Sequence, residues 1–265
     1  MEATANESLI LQSYYRKFID GCHILHLNRV LDAYGHLSFR HPLRHDVFIM
    51  SHSIAPGTIS SPKDLIVYKV DNAEPVEFTS SKGYEERRIH SEIYKRHPDI
   101  HAVVHSHSEA VVPYAISDAP LKACYHMAGF LGADGAAVYD IAEHRDPAQG
   151  ADMLVRNEQT GVALAKTFDN SNRATLMRGH GFTVVADSIE IAVMWATYTQ
   201  KNAVIQTTAA MLQSTYGGIG SCMNLSYLSS EESSVAREMT KRTVERPWKL
   251  WVREVESCGL YVNTA

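Results

Sequence analysis

Apolar positions along the chain change period several times, and each change predicts an element. Leu11, Tyr15, Phe18, Cys22 and Leu25 recur at alternating spacings of four and three, which predicts an amphipathic helix over about residues 7–32. Gly35 ends that pattern. Leu37 and Phe39 then alternate with Ser38 and Arg40 as in a strand; Val47-Phe48-Ile49-Met50 and the run from Leu65 to Val70 predict two more, separated by a Ser/Pro/Gly-rich loop over 51–61. Helical spacing returns from Tyr84 to Arg96 and stops at His97-Pro98. A short apolar strand, Ala102-Val103-Val104, follows and runs straight into His105-Ser106-His107.

Beyond this strand the pattern predicts a short helix at Ala110–Ile116, an apolar stretch from Leu121 to Leu131 and a short strand at Ala136–Tyr139. It then predicts a helix over about 150–168 and two strands, Ala174–Met177 and Phe182–Val185, joined by the turn Gly179-His180-Gly181. Asp187 followed by Glu190 resembles a capping box opening a long helix, whose stripe Ile191, Trp195, Tyr198, Ile205, Ala209 and Leu212 suits core or a subunit contact. A charged helix over 231–256 carries Trp248 and Trp251. No repeat, low-complexity tract or linker divides the chain, so a single α/β domain spanning 1–265 is expected, its last fifty residues a helical tail.

Composition narrows the partners. A net charge of -5 with scattered Lys and Arg leaves no footprint for nucleic acid or an anionic membrane, and no apolar run approaches the ~18 residues of a membrane span. The N-terminus lacks the features of a signal peptide, so a cytoplasmic protein with a small-molecule partner is expected. Cys22, Cys124, Cys222 and Cys258 form no Cys-x-x-Cys pair; reduced thiols fit that compartment, and a cysteine-based zinc site is disfavoured.

In extended backbone His105 and His107 can point to one side, which makes the pair either half of a metal site or two strand-end histidines with ordinary hydrogen bonds. Glu86 by itself is a residue of a helix's first turn, where the dipole favours a carboxylate. His180 between two glycines is open to whatever approaches that turn.

Taken together, Glu86, then His105-x-His107 at a strand end, then His180 in a His-Gly turn before a long helix, resemble the class II aldolase/adducin family over roughly residues 8–215. The resemblance implies an α-β-α sandwich around a mostly antiparallel central sheet, with C-terminal helices. It implies that His105, His107 and His180 bind one divalent metal ion, zinc foremost, manganese or iron otherwise, and that Glu86 acts as acid/base or fourth ligand. It further implies a homotetramer with active sites at subunit interfaces, where Tyr227, Trp248 and Trp251 are candidates for a lid if they are not core.

Departures from the family's sugar-phosphate aldolases are informative. Their phosphate-gripping turn and Ser-Ser pair become Ser53-Ile54 and Tyr84-Glu85, and an isoleucine and a glutamate are poor hosts for phosphate. His36 replaces the asparagine of a Gly-Asn-x-Ser element, and His126, beside Tyr125, falls where one such aldolase has its protonating tyrosine. With Arg40-His41-Pro42 these changes resemble the family's decarboxylase branch. The implied reaction is decarboxylation of a hydroxylated aromatic or oxo/hydroxy carboxylic acid through a metal-stabilised enolate. Glu86 or His126 would be the acid, and His36, Ser38, Arg40, Ser53 and Tyr125 would contact substrate. An aldolase for an unphosphorylated hydroxy-keto substrate, an iron-dependent oxygenase and a non-catalytic adducin-like scaffold are the alternatives. His23, His26, His90, His97, His101 and His144 are left as ordinary residues.

Overall fold

A computed structural model describes residues 2–148, 150–169, 172–216 and 225–265; Cys222 falls outside them. In chain order the elements are α1 (Glu2–Leu27), β1 (His36–Arg40), β2 (Val47–Ser51), β3 (Leu65–Lys69), α2 (Arg87–Arg96), β4 (Ala102–Ser106) and α3 (Val112–Ala115). There follow β5 (Ala137–Tyr139), α4 (Glu158–Lys166), β6 (Ala174–Met177), β7 (Gly181–Ala186), α5 (Ile189–Tyr216), α6 (Ser230–Arg242) and α7 (Glu245–Ser257). Seven strands form one sheet in the order β3-β2-β1-β4-β7-β6-β5, antiparallel at every pairing except β5 with β6.

Strand alternation divides the core into two layers. Leu37, Phe39, Ala102, Val104, Phe182 and Val184 face a cluster that includes Phe18, Ile24 and Leu25 of α1 and Val193 and Trp195 of α5. Phe48, Val103 and Val185 face the other side, against Ile89, Ile93 and Tyr94 of α2 and Leu164 of α4. The result is the expected helix–sheet–helix sandwich, and His36, Ser38 and His105 share strand parity with the α2 side.

Four elements differ from the sequence expectation. The first helix stops at Leu27 rather than at about residue 32, and Arg29 beyond it takes a left-handed backbone conformation, φ 57°. The stretch 150–157 is not helical; α4 starts at Glu158, with the Asn157 side chain accepting the Thr160 N–H as its cap. The cap of α5 is Ser188, whose Oγ accepts from Ile191 N–H at 3.3 Å, whereas Asp187 pairs with Lys241. The tail is two helices rather than one. Pro247 lies in the first turn of α7, where its missing N–H costs nothing, but in a continuous helix its ring would meet the carbonyl of Thr243. Trp248 and Trp251 are buried in the α1/α5 core and form no lid in this chain.

Candidate metal centre

Four elements bring their ends to one place. Glu86 caps α2, His105 is the penultimate residue of β4, His107 lies just past its end, and His180 occupies the β6–β7 turn. The register His105↔Thr183 and Ser106↔Phe182 lays that turn beside the end of β4. Gly181 permits the approach, since a Cβ there would lie 1.9 Å from the Ser106 carbonyl oxygen.

The donor atoms converge. His105 Nε2 and His180 Nε2 each lie 3.2 Å from His107 Nε2, and Glu86 Oε2 lies 3.7 Å from His105 Nε2 and 3.6 Å from His180 Nε2. All four residues offer ligand atoms within 4.8 Å of one another. Ligand nitrogens about 2.05 Å from a tetrahedral ion would be roughly 3.3 Å apart, so these imidazoles already have the spacing of a coordination shell.

The far sides of two of the three rings are occupied. Thr183 Oγ1, 3.2 Å from His105 Nδ1, donates its own proton to Met177 Sδ and therefore accepts from the ring. Asp32 Oδ2 accepts from His107 Nδ1–H at 3.3 Å. His180 Nδ1 approaches the Met153 carbonyl without reaching hydrogen-bond geometry. With protons on Nδ1 of His105 and His107, the Nε2 lone pairs of these two rings face each other at 3.2 Å and call for a cation between them. Burial holds His105 well below the ordinary histidine range, and burial plus the neighbouring His107 lower His180 to about 4. Neutral imidazoles are what a divalent ion needs.

Glu86 is buried, with Oε1 accepting the Val155 N–H at 3.0 Å and Oε2 facing the histidines. Burial raises its carboxyl to about 7, against the opposing pull of that N–H and of Arg156. A buried carboxyl group beside three converging imidazoles is the expected setting for a divalent cation, so the donor set fits a metal.

The cluster opens on a cavity of about 480 Å³ walled by His36, Ser53, Ile54, Lys82, Tyr84 and Glu85 in addition to Glu86, His107 and His180. Of the residues expected at the substrate, the structure brings His36 and Ser53 to this wall. Ser38 is fully buried against His90 and Tyr94, away from the cavity. Arg40 is also not a cavity residue. Its guanidinium donates to the carbonyls of Ile100, His45, Tyr94 and His97, so its role is to tie β1 to the loop after α2. Tyr125 packs half-buried against Tyr198, and His126 is exposed; neither lines the cavity of its own chain.

Several contributors escaped the sequence. Asp32 carried a local signal, because its Oδ1 accepts from the N–H groups of Tyr34 and Gly35 in a side-chain-capped turn. Thr183, Val155, Lys82 and His90 carried none by themselves.

A model of the Class II Aldolase and Adducin N-terminal domain matches residues 16–207. Decarboxylase tropJ of Talaromyces stipitatus is 47% identical over 258 residues, covering 94% of this chain and 97% of that protein. A 3,4-dihydroxyphthalate decarboxylase of Arthrobacter keyseri is 30% identical over 140 residues, covering 50% of this chain and 52% of its own. Among solved structures, an aldolase II superfamily protein from Pseudomonas syringae superposes with a TM-score of 0.72 at 20% identity, covering 94% of each chain. L-fuculose 1-phosphate aldolase from Glaciozyma antarctica superposes with a TM-score of 0.69 at 17% identity, covering 94% of this chain and 91% of that one. The matched family model, the shared sandwich and the Glu86–His105–His107–His180 cluster together identify the chain as a member of the class II aldolase and adducin family, with decarboxylases among its relatives.

Proposed function

We propose that this protein is a divalent-metal-dependent carbon–carbon lyase that decarboxylates a hydroxylated aromatic or related oxo/hydroxy carboxylic acid. The observation that carries the proposal is a three-histidine, one-glutamate cluster opening on a cavity whose wall has Ile54 and Glu85 at the positions where phosphate would need a glycine and a small hydroxyl. Decarboxylase relatives support it.

His105, His107 and His180 would hold the ion, zinc foremost, with manganese or iron as the alternatives, and Glu86 would complete the set in the resting state. Such an ion supplies Lewis-acid polarisation of a substrate oxygen. The chain's own residues do the rest. Lys82, exposed and paired with Glu85 at 3.3 Å, offers a cation at the cavity wall that a substrate carboxylate could share. His36 and Ser53 offer polar contacts to the ring substituents. As the carbon–carboxylate bond breaks, its electron pair stays on carbon, carbon dioxide leaves, and a proton passes to that carbon from Glu86, which has first taken one from the substrate's own hydroxyl group.

His126 is exposed and does not line the cavity of its own chain, so it would play the expected acid role in the cavity of a second copy. That suits a homotetramer with shared sites. Exposed Val204, Ile205, Met211 and Leu212 on the C-terminal half of α5 leave apolar surface for such an assembly. Free thiols at Cys22, Cys124 and Cys258 suit a reducing, cytoplasmic setting.

The test is metal-reloaded protein offered hydroxybenzoates, dihydroxyphthalates and small hydroxy acids, with carbon dioxide release as readout. Release that disappears in Glu86→Gln and His107→Ala supports the proposal. Metal-replete protein that releases none from any of them overturns it; aldehyde or pyruvate among the products would make it an aldolase, and oxygen uptake dependent on ferrous iron an oxygenase.

A further inference from the structure

From the interior to the cavity wall runs a line of four polar groups, of which the proposed chemistry uses only the last, His36. The Tyr94 hydroxyl lies 2.7 Å from Ser38 Oγ, Ser38 Oγ lies 2.6 Å from His90 Nδ1, and His90 Nε2 lies 2.7 Å from His36 Nδ1. All four residues are buried. At the other end of the line, His36 forms part of the cavity wall, and its Nε2 is buried without a hydrogen-bond partner. The His36 ring stands 5.0 Å, centroid to centroid, from that of the ligand His105.

Counting protons gives the line a direction. Tyr94, Ser38, neutral His90 and neutral His36 bring one mobile proton each, four in all, and three links consume three. The fourth is left at one end. If the links ran toward Tyr94, its hydroxyl would hold the surplus proton in the interior. Among the described residues only Ser38 lies within bonding distance of that hydroxyl, and the other polar group facing the oxygen is the Val103 N–H, itself a donor. Run the other way, Tyr94 donates to Ser38, Ser38 to His90 Nδ1 and His90 Nε2–H to His36 Nδ1, and the surplus proton rests on His36 Nε2. Every interior group is then satisfied. Burial drives His90 down to about 3, consistent with a neutral ring.

We propose that Tyr94, Ser38 and His90 are positioning residues that hold His36 as the neutral tautomer protonated on Nε2, so that this N–H meets an acceptor oxygen of the bound carboxylic acid, a carboxylate or phenolate, beside the metal ligands. The substrate half rests on the decarboxylase reading; the tautomer half does not. Sequence spacing supports the design. Glu86, His90 and Tyr94 recur every four residues on one face of α2 and its cap, opposite His36, Ser38 and Arg40 at every second residue of β1.

Zinc-loaded protein labelled with ¹⁵N-histidine, examined by long-range proton–nitrogen correlation, decides the tautomer without substrate. The expected result is His36 protonated on Nε2, with that state lost or mixed in Ser38→Ala. His36 protonated on Nδ1 in the wild type overturns the proposal. With a substrate that the wild type decarboxylates, His90→Phe should keep about one metal per chain yet lower kcat/KM roughly ten- to a hundred-fold. His90→Gln, which restores an N–H donor toward His36, should recover most of it. Equal impairment of the two variants would reduce His90 to packing and overturn the positioning role. Absence of carbon dioxide release with the expected tautomer refutes the decarboxylase reading and its substrate half alone, while release with the opposite tautomer refutes the positioning train alone.

Discussion

Glu86 shows how one side chain changes meaning with its surroundings. Without a cation its burial is unfavourable to the charge, and its carboxyl rises from 4.5 to about 7. A raised carboxyl favours the folded state below its unfolded pKa, and that advantage is lost as pH rises through the folded value. Metal-free wild type should therefore lose stability relative to metal-free Glu86→Gln between pH 5 and 8, by up to roughly 3 kcal/mol. Urea titrations of chelator-treated proteins at both pH values measure the difference. His180 works in the opposite direction, contributing stability above about 6.5 that is lost as pH falls through about 4. With zinc the order should reverse, because glutamine brings no negative charge to the ion. Thr183→Val, which frees His105 Nδ1 from its acceptor, should weaken zinc binding roughly ten- to a hundred-fold in a competition titration with a chromophoric chelator. Glu86 and the three histidines were visible in sequence through their types and spacing. The threonine was not, because only the β4–β7 register sets it against His105.

At the scale of elements, the site is a meeting of ends. Strand β4 delivers His105 and His107, the β6–β7 turn delivers His180, and α2 delivers Glu86 from its cap. The segment before α4 explains why a helix over 150–157 would not serve. Met153 takes a left-handed backbone conformation, φ 69°, within the stretch that brings its carbonyl toward His180 and the Val155 N–H onto Glu86. A helix there would spend that N–H on itself. Hydrophobic spacing placed apolar residues in the segment but could not register the ligands it supports. The β6–β7 turn is the most sensitive joint. Gly181→Ala would press a Cβ into the Ser106 carbonyl, and backbone at the ends of β4 and β7 must move to relieve it. The expected outcome is a loss of about 2–4 kcal/mol in chemical denaturation, together with most of the bound metal.

For the whole molecule, folding brings the four candidate ligands together, so a metal that binds them must feed back on stability. Zinc at a hundred times its dissociation constant should add about 2.7 kcal/mol and raise Tm by roughly 5–10 °C. Thermal melts with and without zinc test this, and His105→Ala should abolish the rise. The proposed tetramer predicts a sedimentation mass near four times the 29.5 kDa chain. A single-chain mass would remove any role for His126 in catalysis. No helix among the described residues is long and apolar enough to cross a membrane, in keeping with the ordinary hydropathy of the chain.

The sequence alone decided the element types and most of their order, because local periodicity carries them. The sandwich and the four candidate metal-site residues came through the family resemblance, which rests on residue types and their spacing along the chain. It misassigned Ser38 and Arg40, which are polar and near the right motif, because burial depends on what packs opposite. Only tertiary structure showed that α2 covers Ser38 and that four carbonyls consume the Arg40 guanidinium. The same is true of His90. Its place between Ser38 and His36 arises from a helix face with a period near four meeting a strand face with a period of two, and a hydrogen bond across that contact depends on distance and direction that neither pattern contains.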